Sequence, residues 1–217
     1  MNYKDIRALL EDGEGFEIEF KRKVSSPEKI AKTIVGFANT KGGTILFGID
    51  DDHTVVGVES EKSELELIKN VADYHCEPPV EVETEVVPYK GKDVIVVFVE
   101  ESTDKPHAVV LNDDSEDGQL QVYIRVNDKT VEASKEVVRI LRSENPDTPP
   151  LRIAIGENER RLFEFLEEKE RITLKEFEAL VNISRRRASR TLVRLVRAGV
   201  LRVHTNEKEE FYTRAFD

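Results

Sequence analysis

Two groups of residues in this 217-residue chain have the types and spacing to do chemistry. From Arg185 to Arg197 there are six arginines and no acidic residue. Arg186, Arg190, Arg194 and Arg197 follow at intervals of four, four and three, which on a helix sets them along one face. A guanidinium offers a planar fork of donors that matches phosphate oxygens and the major-groove edge of guanine. The second group is the acidic turn Asp50-Asp51-Asp52, directly after the apolar run 44–49. Carboxylates grouped at a strand end make this turn the first place in the N-terminal part to look for chemistry. Each group also has a plainer reading: a solvated helix face for the arginines, and turn formation for the aspartates.

These residues must be held by elements that the pattern of apolar residues predicts. Ile30, Ile34, Phe37 and Ala38 sit at helical spacing, behind Pro27 at a suitable first position. Asn39, Gly42 and Gly43 are expected to stop that helix by adopting positive φ. Residues 44–49 then read as a strand covered on both sides, and 54–58 as its hairpin partner across the acidic turn. Around this unit the sequence predicts a short helix over 5–10, an alternating strand over 16–20 and a helix over 63–75. Strands are predicted over 80–87, 94–99 and 121–126, a loop over 112–118 and a helix over 134–141. Further on, helices are expected over 157–169, from Thr173 and from Ser184 to Ala198. Thr173 and Glu176 have capping-box spacing. Two strands, 200–204 and 211–214, would close a hairpin. The fold class expected is α+β: a mixed α/β N-terminal domain with a β-sheet core, and a small helical C-terminal domain with a hairpin.

Composition supports that division. The 33 basic and 44 acidic side chains give a net charge of −11, so any nucleic-acid surface must be local. Residues 1–153 have a net charge of −13 and residues 154–217 of +2. The change falls beside a stretch with Pro146, Pro149 and Pro150, so the domains are drawn as 1–142 and 154–217 with a linker over 143–153. The charged fraction of 35%, with one Met and no Trp, resembles that of proteins from hot environments. The single Cys cannot form an intramolecular disulfide, and with no signal peptide or membrane-spanning run the expected location is the cytoplasm.

Three helices followed by a hairpin, with arginines on the third helix, resemble a winged helix-turn-helix over the last 60 or so residues. The resemblance implies that the third helix enters the major groove of duplex DNA and the hairpin touches the backbone. Its contact candidates are then Arg185, Arg186, Arg187, Arg190 and Arg194 on the helix, and Thr205, Asn206 and Lys208 on the wing. It also implies a homodimer or higher homo-oligomer on paired half-sites.

In the N-terminal part, EGFEIEFK (14–21), FANTKGG (37–43), FGIDDDHTVVGV (47–58), KPHAV (105–109) and YIRVNDKTVEAS (123–134) occur in this order. Together they resemble the Schlafen/AlbA-like DNA-binding domain, over roughly residues 1–142. The resemblance implies a mixed α/β domain associated with nucleic acid, frequent in prokaryotic transcriptional regulators. Some Schlafen members cleave tRNA with two glutamates at E-x4-E spacing and an aspartate after the FANT-GG strand. Here Glu14 and Glu19 have that spacing, and Asp50 is the third carboxylate, with Asp51 and Asp52 as alternatives. Under that reading the three would hold Mg²⁺ or Mn²⁺ and activate water against RNA. Against it, the nuclease members have two such modules and this chain has one, in a net acidic domain. The expected function is therefore DNA binding by a transcriptional regulator, without a cofactor. A metal-dependent RNA endonuclease and a protein-interaction module are the alternatives. No phosphate-binding glycine loop is present, His75-Cys76 has no second Cys to complete a zinc site, and His53, His107 and His204 suggest no triad. Lys41 beside Gly42 and Gly43 could form a small anion nest. Tyr123 and Arg125 could either stack on nucleic acid or serve as a buried tyrosine and a structural ion pair.

Overall fold

The structure, a computed structural model, describes residues 3–111, 119–145, 151 and 154–215. The chain divides into two compact units, Met1–Ala133 and Ser134–Asp217. The expected loop over 112–118 and the proline-rich core of the expected linker lie outside the described residues.

The first unit runs α1 (Tyr3–Asp12), β1 (Ile18–Lys21), α2 (Pro27–Ala38), β2 (Gly43–Phe47), α3 (Glu61–Tyr74), β3 (Cys76–Glu77), β4 (Val82–Tyr89), β5 (Lys92–Val99), β6 (Ala108–Leu111), β7 (Gln119–Val126) and β8 (Lys129–Glu132). Its strands form two four-stranded sheets, ordered β1-β2-β5-β4 and β3-β6-β7-β8. As its apolar sequence predicts, β2 is buried on both faces. Ile45 and Phe47 join Ile34 and Phe37 of α2 and Ile68 and Val71 of α3. Leu46 faces the other way, toward Ile6 of α1 and Phe20 of β1. β5 repeats the alternation, with Ile95, Val97 and Val99 on the first side and Val94 and Val96 on the second. Fully burying each such side chain contributes about 1.5–3 kcal/mol, so this double-faced strand pair is where the unit's stability is concentrated.

The turn after α2 is built differently from expectation. Asn39 has φ −78°, in the right-handed region, and Gly42 supplies the positive φ of +73°. A Cβ on Gly42 would stand 2.6 Å from the Val99 carbonyl oxygen, and one on Gly43 2.5 Å from the Phe37 ring. Both glycines are required by close approach. The second strand expected over 54–58 is absent. β2 pairs in parallel with β1 and antiparallel with β5, and only an isolated bridge joins Ile49 to Val55. Both edges of β2 are already taken, so the returning segment crosses over Gly48, whose carbonyl accepts from Val56 and Gly57 N–H.

The second unit contains α4 (Lys135–Glu144), α5 (Glu157–Lys169), β9 (Arg171–Ile172), α6 (Leu174–Val181), α7 (Arg185–Arg197), β10 (Leu201–Thr205) and β11 (Glu210–Arg214). Its three-stranded sheet is ordered β10-β11-β9, all antiparallel. Leu162, Leu166, Phe177, Ala188, Leu192, Leu195 and Tyr212 form its core. The capping box at α6 forms as its sequence predicts: Thr173 Oγ1 accepts from Glu176 N–H at 3.2 Å, and Glu176 Oε2 accepts from Thr173 N–H at 2.7 Å. Those bonds hold the Glu176 carboxyl below the ordinary range. Ser184 occupies the N-cap position of α7 without a side-chain cap bond. α4, read from sequence as the end of the N-terminal domain, lies in this unit and packs on α7. Together the two units make an α+β chain. Among the described residues, no helix is long and apolar enough to cross a membrane.

Candidate functional site

α7 has an amphipathic division sharper than its spacing implies. Ala188, Leu192 and Leu195 are fully buried against α5, α6 and the sheet. Ser189 and Thr191 are buried as well. Ser189 Oγ donates to Glu136 Oε1 at 2.6 Å and accepts from Arg139 Nη1 at 2.7 Å, so α4 is pinned across that side of the helix. Arg185, Arg186, Arg187, Arg190 and Arg197 remain exposed. Arg194 differs: its Nη2 donates to Glu159 Oε1 at 2.7 Å. Glu159 Oε2 also accepts the Gly156 N–H at the start of α5, so this carboxylate ties α7 to the α5 cap. The β10–β11 hairpin places Lys208 at an exposed tip. Asn206 Oδ1 accepts from the N–H groups of Lys208 and Glu209, so its side chain shapes the turn itself. Tyr212 anchors the hairpin from below, its hydroxyl donating to Glu210 at 2.7 Å; burial pushes that phenol far above its ordinary pKa.

Glu14, Glu19, Asp50 and Asp52 of the first unit each have a partner. Glu14 Oε1 accepts from the Phe20 N–H at 2.8 Å. Glu19 Oε1 lies 2.6 Å from Lys21 Nζ, and Glu19 Oε2 lies 2.8 Å from Arg125 Nη1. The Arg125 side chain is only 1% exposed. Besides Glu19 it donates to the Gly15 carbonyl at 2.6 Å and to Thr130 Oγ1 at 3.1 Å, and it lies over the Phe37 ring. The segment between the two glutamates is thus wrapped around a buried guanidinium that reaches over from the second sheet. Asp50 Oδ2 pairs with Arg22 Nη1 at 2.8 Å, and its Oδ1 accepts from Asp51 N–H. Asp52 accepts the Thr54 N–H at 2.9 Å, which holds its carboxyl below the ordinary range. Among the described residues, no three His, Cys, Asp or Glu side chains are gathered closely enough to hold a metal ion, so Glu14, Glu19 and Asp50 are not brought together as such a group.

Tyr123 is buried, with its hydroxyl donating to Gln121 Oε1 at 2.6 Å. Lys41 is exposed, 3.9 Å from Glu101. His107, for which the sequence suggests no role in a triad, is buried. Its Nδ1 lies 2.8 Å from the Pro78 carbonyl, which can only accept. Nδ1 therefore donates to that carbonyl, while Nε2 lies 2.7 Å from the Ser102 hydroxyl. Asn39, expected from sequence only to stop α2, is also a tie. It donates from Nδ2 to the carbonyls of His107 and Tyr123 and accepts the His107 N–H at Oδ1, joining the end of α2 to the second sheet. An Asn in an otherwise apolar helix end was the available signal.

An α+β chain with an arginine-faced helix in one unit and an arginine-centred sheet pair in the other defines the structural class. Residues 14–134, more than half of the chain, match the family Schlafen, AlbA_2, and the chain belongs to that family. The match spans all five segments that carried the resemblance. No curated protein matches the chain. Among solved structures, it is similar to the N-terminal domain of an ATP-dependent DNA helicase RecG-related protein from Nitrosomonas europaea. That likeness has 23% identity and a TM-score of 0.44, covering 58% of this chain and 89% of the other. It is also similar to the DIP2311 protein from Corynebacterium diphtheriae, with 16% identity and a TM-score of 0.43, covering 68% of this chain and 32% of that one.

Proposed function

We propose that the protein binds duplex DNA through its second unit and acts as a transcriptional regulator. The observation that carries this reading is the exposed face of α7. Arg185, Arg186, Arg187 and Arg190 project from a helix whose other sides are buried, and among the described residues none of the four forms an ion pair. An arginine surface free of carboxylates suits phosphate and guanine recognition. The order α5-β9-α6-α7 followed by the β10–β11 hairpin is that of a winged helix, with Lys208 on the wing. Membership of the Schlafen, AlbA_2 family supports a nucleic-acid partner. A single recognition helix has a small footprint, so we include a homodimer on paired half-sites in the proposal.

Electrophoresis with duplex DNA and with labelled tRNA, each with and without Mn²⁺, tests the reading. Retarded duplex and intact RNA are expected. Metal-dependent cleavage of RNA would replace it with the endonuclease reading centred on Glu14, Glu19 and Asp50. That reading is the weaker one because Glu19 is committed to Arg125 and Asp50 to Arg22. Neither retardation nor cleavage would leave a protein-interaction role for the arginine face.

A further inference from the structure

Within the second unit, α4, α5 and α7 enclose a cleft of about 820 Å³. Among the described residues six arginines line it: Arg139 and Arg142 from α4, and Arg187, Arg190, Arg194 and Arg197 from α7. Among the described residues one carboxylate, Glu159, stands in the same wall, and it is already bonded to Arg194 at 2.7 Å. Arg139 lies 3.7 Å from Glu136 and is held mainly through Ser189. Arg187, Arg190 and Arg197 form no ion pair among the described residues. Guanidinium groups do not deprotonate in proteins, so this concentration of positive charge persists at every working pH. Charges of one sign on a concave wall focus their field into the recess and draw anions there. Leu151 and buried Val193 add apolar surface to the wall, and Asn158 and Thr191 add neutral polar groups.

We propose that this cleft is a binding site for a small oligophosphate, of the size and charge of a nucleoside triphosphate. Its volume lies in the range of about 300–1,000 Å³ typical of small-ligand pockets. Arginine forks pair bidentately with phosphate oxygens, and several forks converging from two helices favour a ligand with several phosphates over a single one. The recess also favours a compact anion over a duplex. A duplex presents its phosphates along a convex rod, whereas Arg139 and Arg142 reach the cleft from a different helix than the one offered to DNA. Arg187 and Arg190 belong to both surfaces, so an occupied cleft withdraws two arginines from the duplex face. That consequence rests on the DNA-binding reading above; the site itself does not.

The test is calorimetric titration of the full chain, without divalent cations at low salt, using GTP, ATP, tripolyphosphate, pyrophosphate and inorganic phosphate as probes. Affinity is expected to rise with phosphate number, and Arg142→Ala with Arg197→Ala should weaken triphosphate binding by roughly tenfold or more. Thermal unfolding of the ligand-free variants reports whether they fold. If the alanine pair lowers the midpoint, Arg142→Lys with Arg197→Lys replaces it; keeping the charge without the forks, it should still bind triphosphate more weakly than the parent. No heat with any triphosphate overturns the proposal. So do affinities that ignore phosphate number, and so does full affinity in folded variants. If the alanine pair loses duplex affinity while no triphosphate binds the parent, the cleft belongs to DNA and the proposal fails. If triphosphates bind while no duplex does, the site stands and the DNA-binding reading falls.

Discussion

Glu19→Ala would leave the Arg125 guanidinium buried without its only anionic partner among the described residues, and removing one member of a buried pair typically costs about 3–5 kcal/mol. Urea unfolding should therefore show a large loss of stability for Glu19→Ala. Glu14→Ala, which removes one carboxylate bond to a backbone N–H, should lose roughly 1.5–3 kcal/mol. Equal and small effects for the two would show that Arg125 does not depend on Glu19. Cys76 gives a second test at this scale. It is buried, and desolvation pushes its thiol up to about 12 from 9.0, so the reactive thiolate is scarce in the folded protein. Thiol reagents at pH 8 should label it only after denaturation. The sign follows for stability: the raised folded pKa contributes below pH 9 and is lost as pH rises from 9 toward 12. Labelling of native protein within minutes would contradict that burial. The E-x4-E spacing was legible in sequence, but its partner stands 106 positions away from Glu19. No local pattern announces an ion pair of that range. Arg125 and Tyr123 were visible as a pair on a strand, and only the second sheet's placement over α2 decided between burial and an exposed stacking surface.

Among the elements, α7 was the most legible, because a run of arginines against Ala188, Leu192 and Leu195 marks two faces without ambiguity. What the spacing left open was the second buried side, where α4 covers Ser189, and the diversion of Arg194 to Glu159. The four arginines of the regular spacing should therefore separate in experiment. Arg186→Ala with Arg190→Ala leaves the core untouched and introduces a good helix former, so the unfolding midpoint should hold. Duplex affinity should fall, with the log-log salt slope shallower by about 0.9 for each phosphate that is no longer neutralised. Arg194→Ala should instead cost stability, since Glu159 would be deprived of its cation where α5 meets α7. Unchanged affinity and salt slope in the double variant would remove α7 from the DNA-reading role. The expected partner strand at 54–58 shows the opposite limit. Val55 and Val56 read as a strand continuation, yet both edges of β2 were already filled by β1 and β5, and a one-strand window cannot register which edges are occupied.

At the scale of the molecule, the change in charge balance and the prolines located a division near residue 143, while packing draws it at Ala133–Ser134. The difference is α4. Its apolar residues Val137, Ile140 and Leu141 are buried, and its polar residues are spent on the second unit: Glu136 and Arg139 on Ser189, and Ser134 on Glu210 at 2.5 Å. A fragment comprising residues 134–217 should therefore fold cooperatively by itself, as should residues 1–133 with both of its sheets intact. A fragment starting at residue 154 keeps the Leu162–Tyr212 core but exposes Ser189 and Thr191 and leaves Glu210 without the Ser134 hydroxyl. Removing these three hydrogen bonds, each worth about 0.5–1.5 kcal/mol net, together with the burial of α4, should lower its unfolding midpoint by at least several degrees relative to 134–217. The comparison also bears on the arginine cleft, because the shorter fragment lacks Arg139 and Arg142 while keeping all of α7. Duplex binding by α7 should survive in it to the extent that the fragment stays folded, and triphosphate binding should not. Equal midpoints for the two C-terminal fragments would show that α4 contributes nothing to the second unit, and would return the division to the proline-rich stretch.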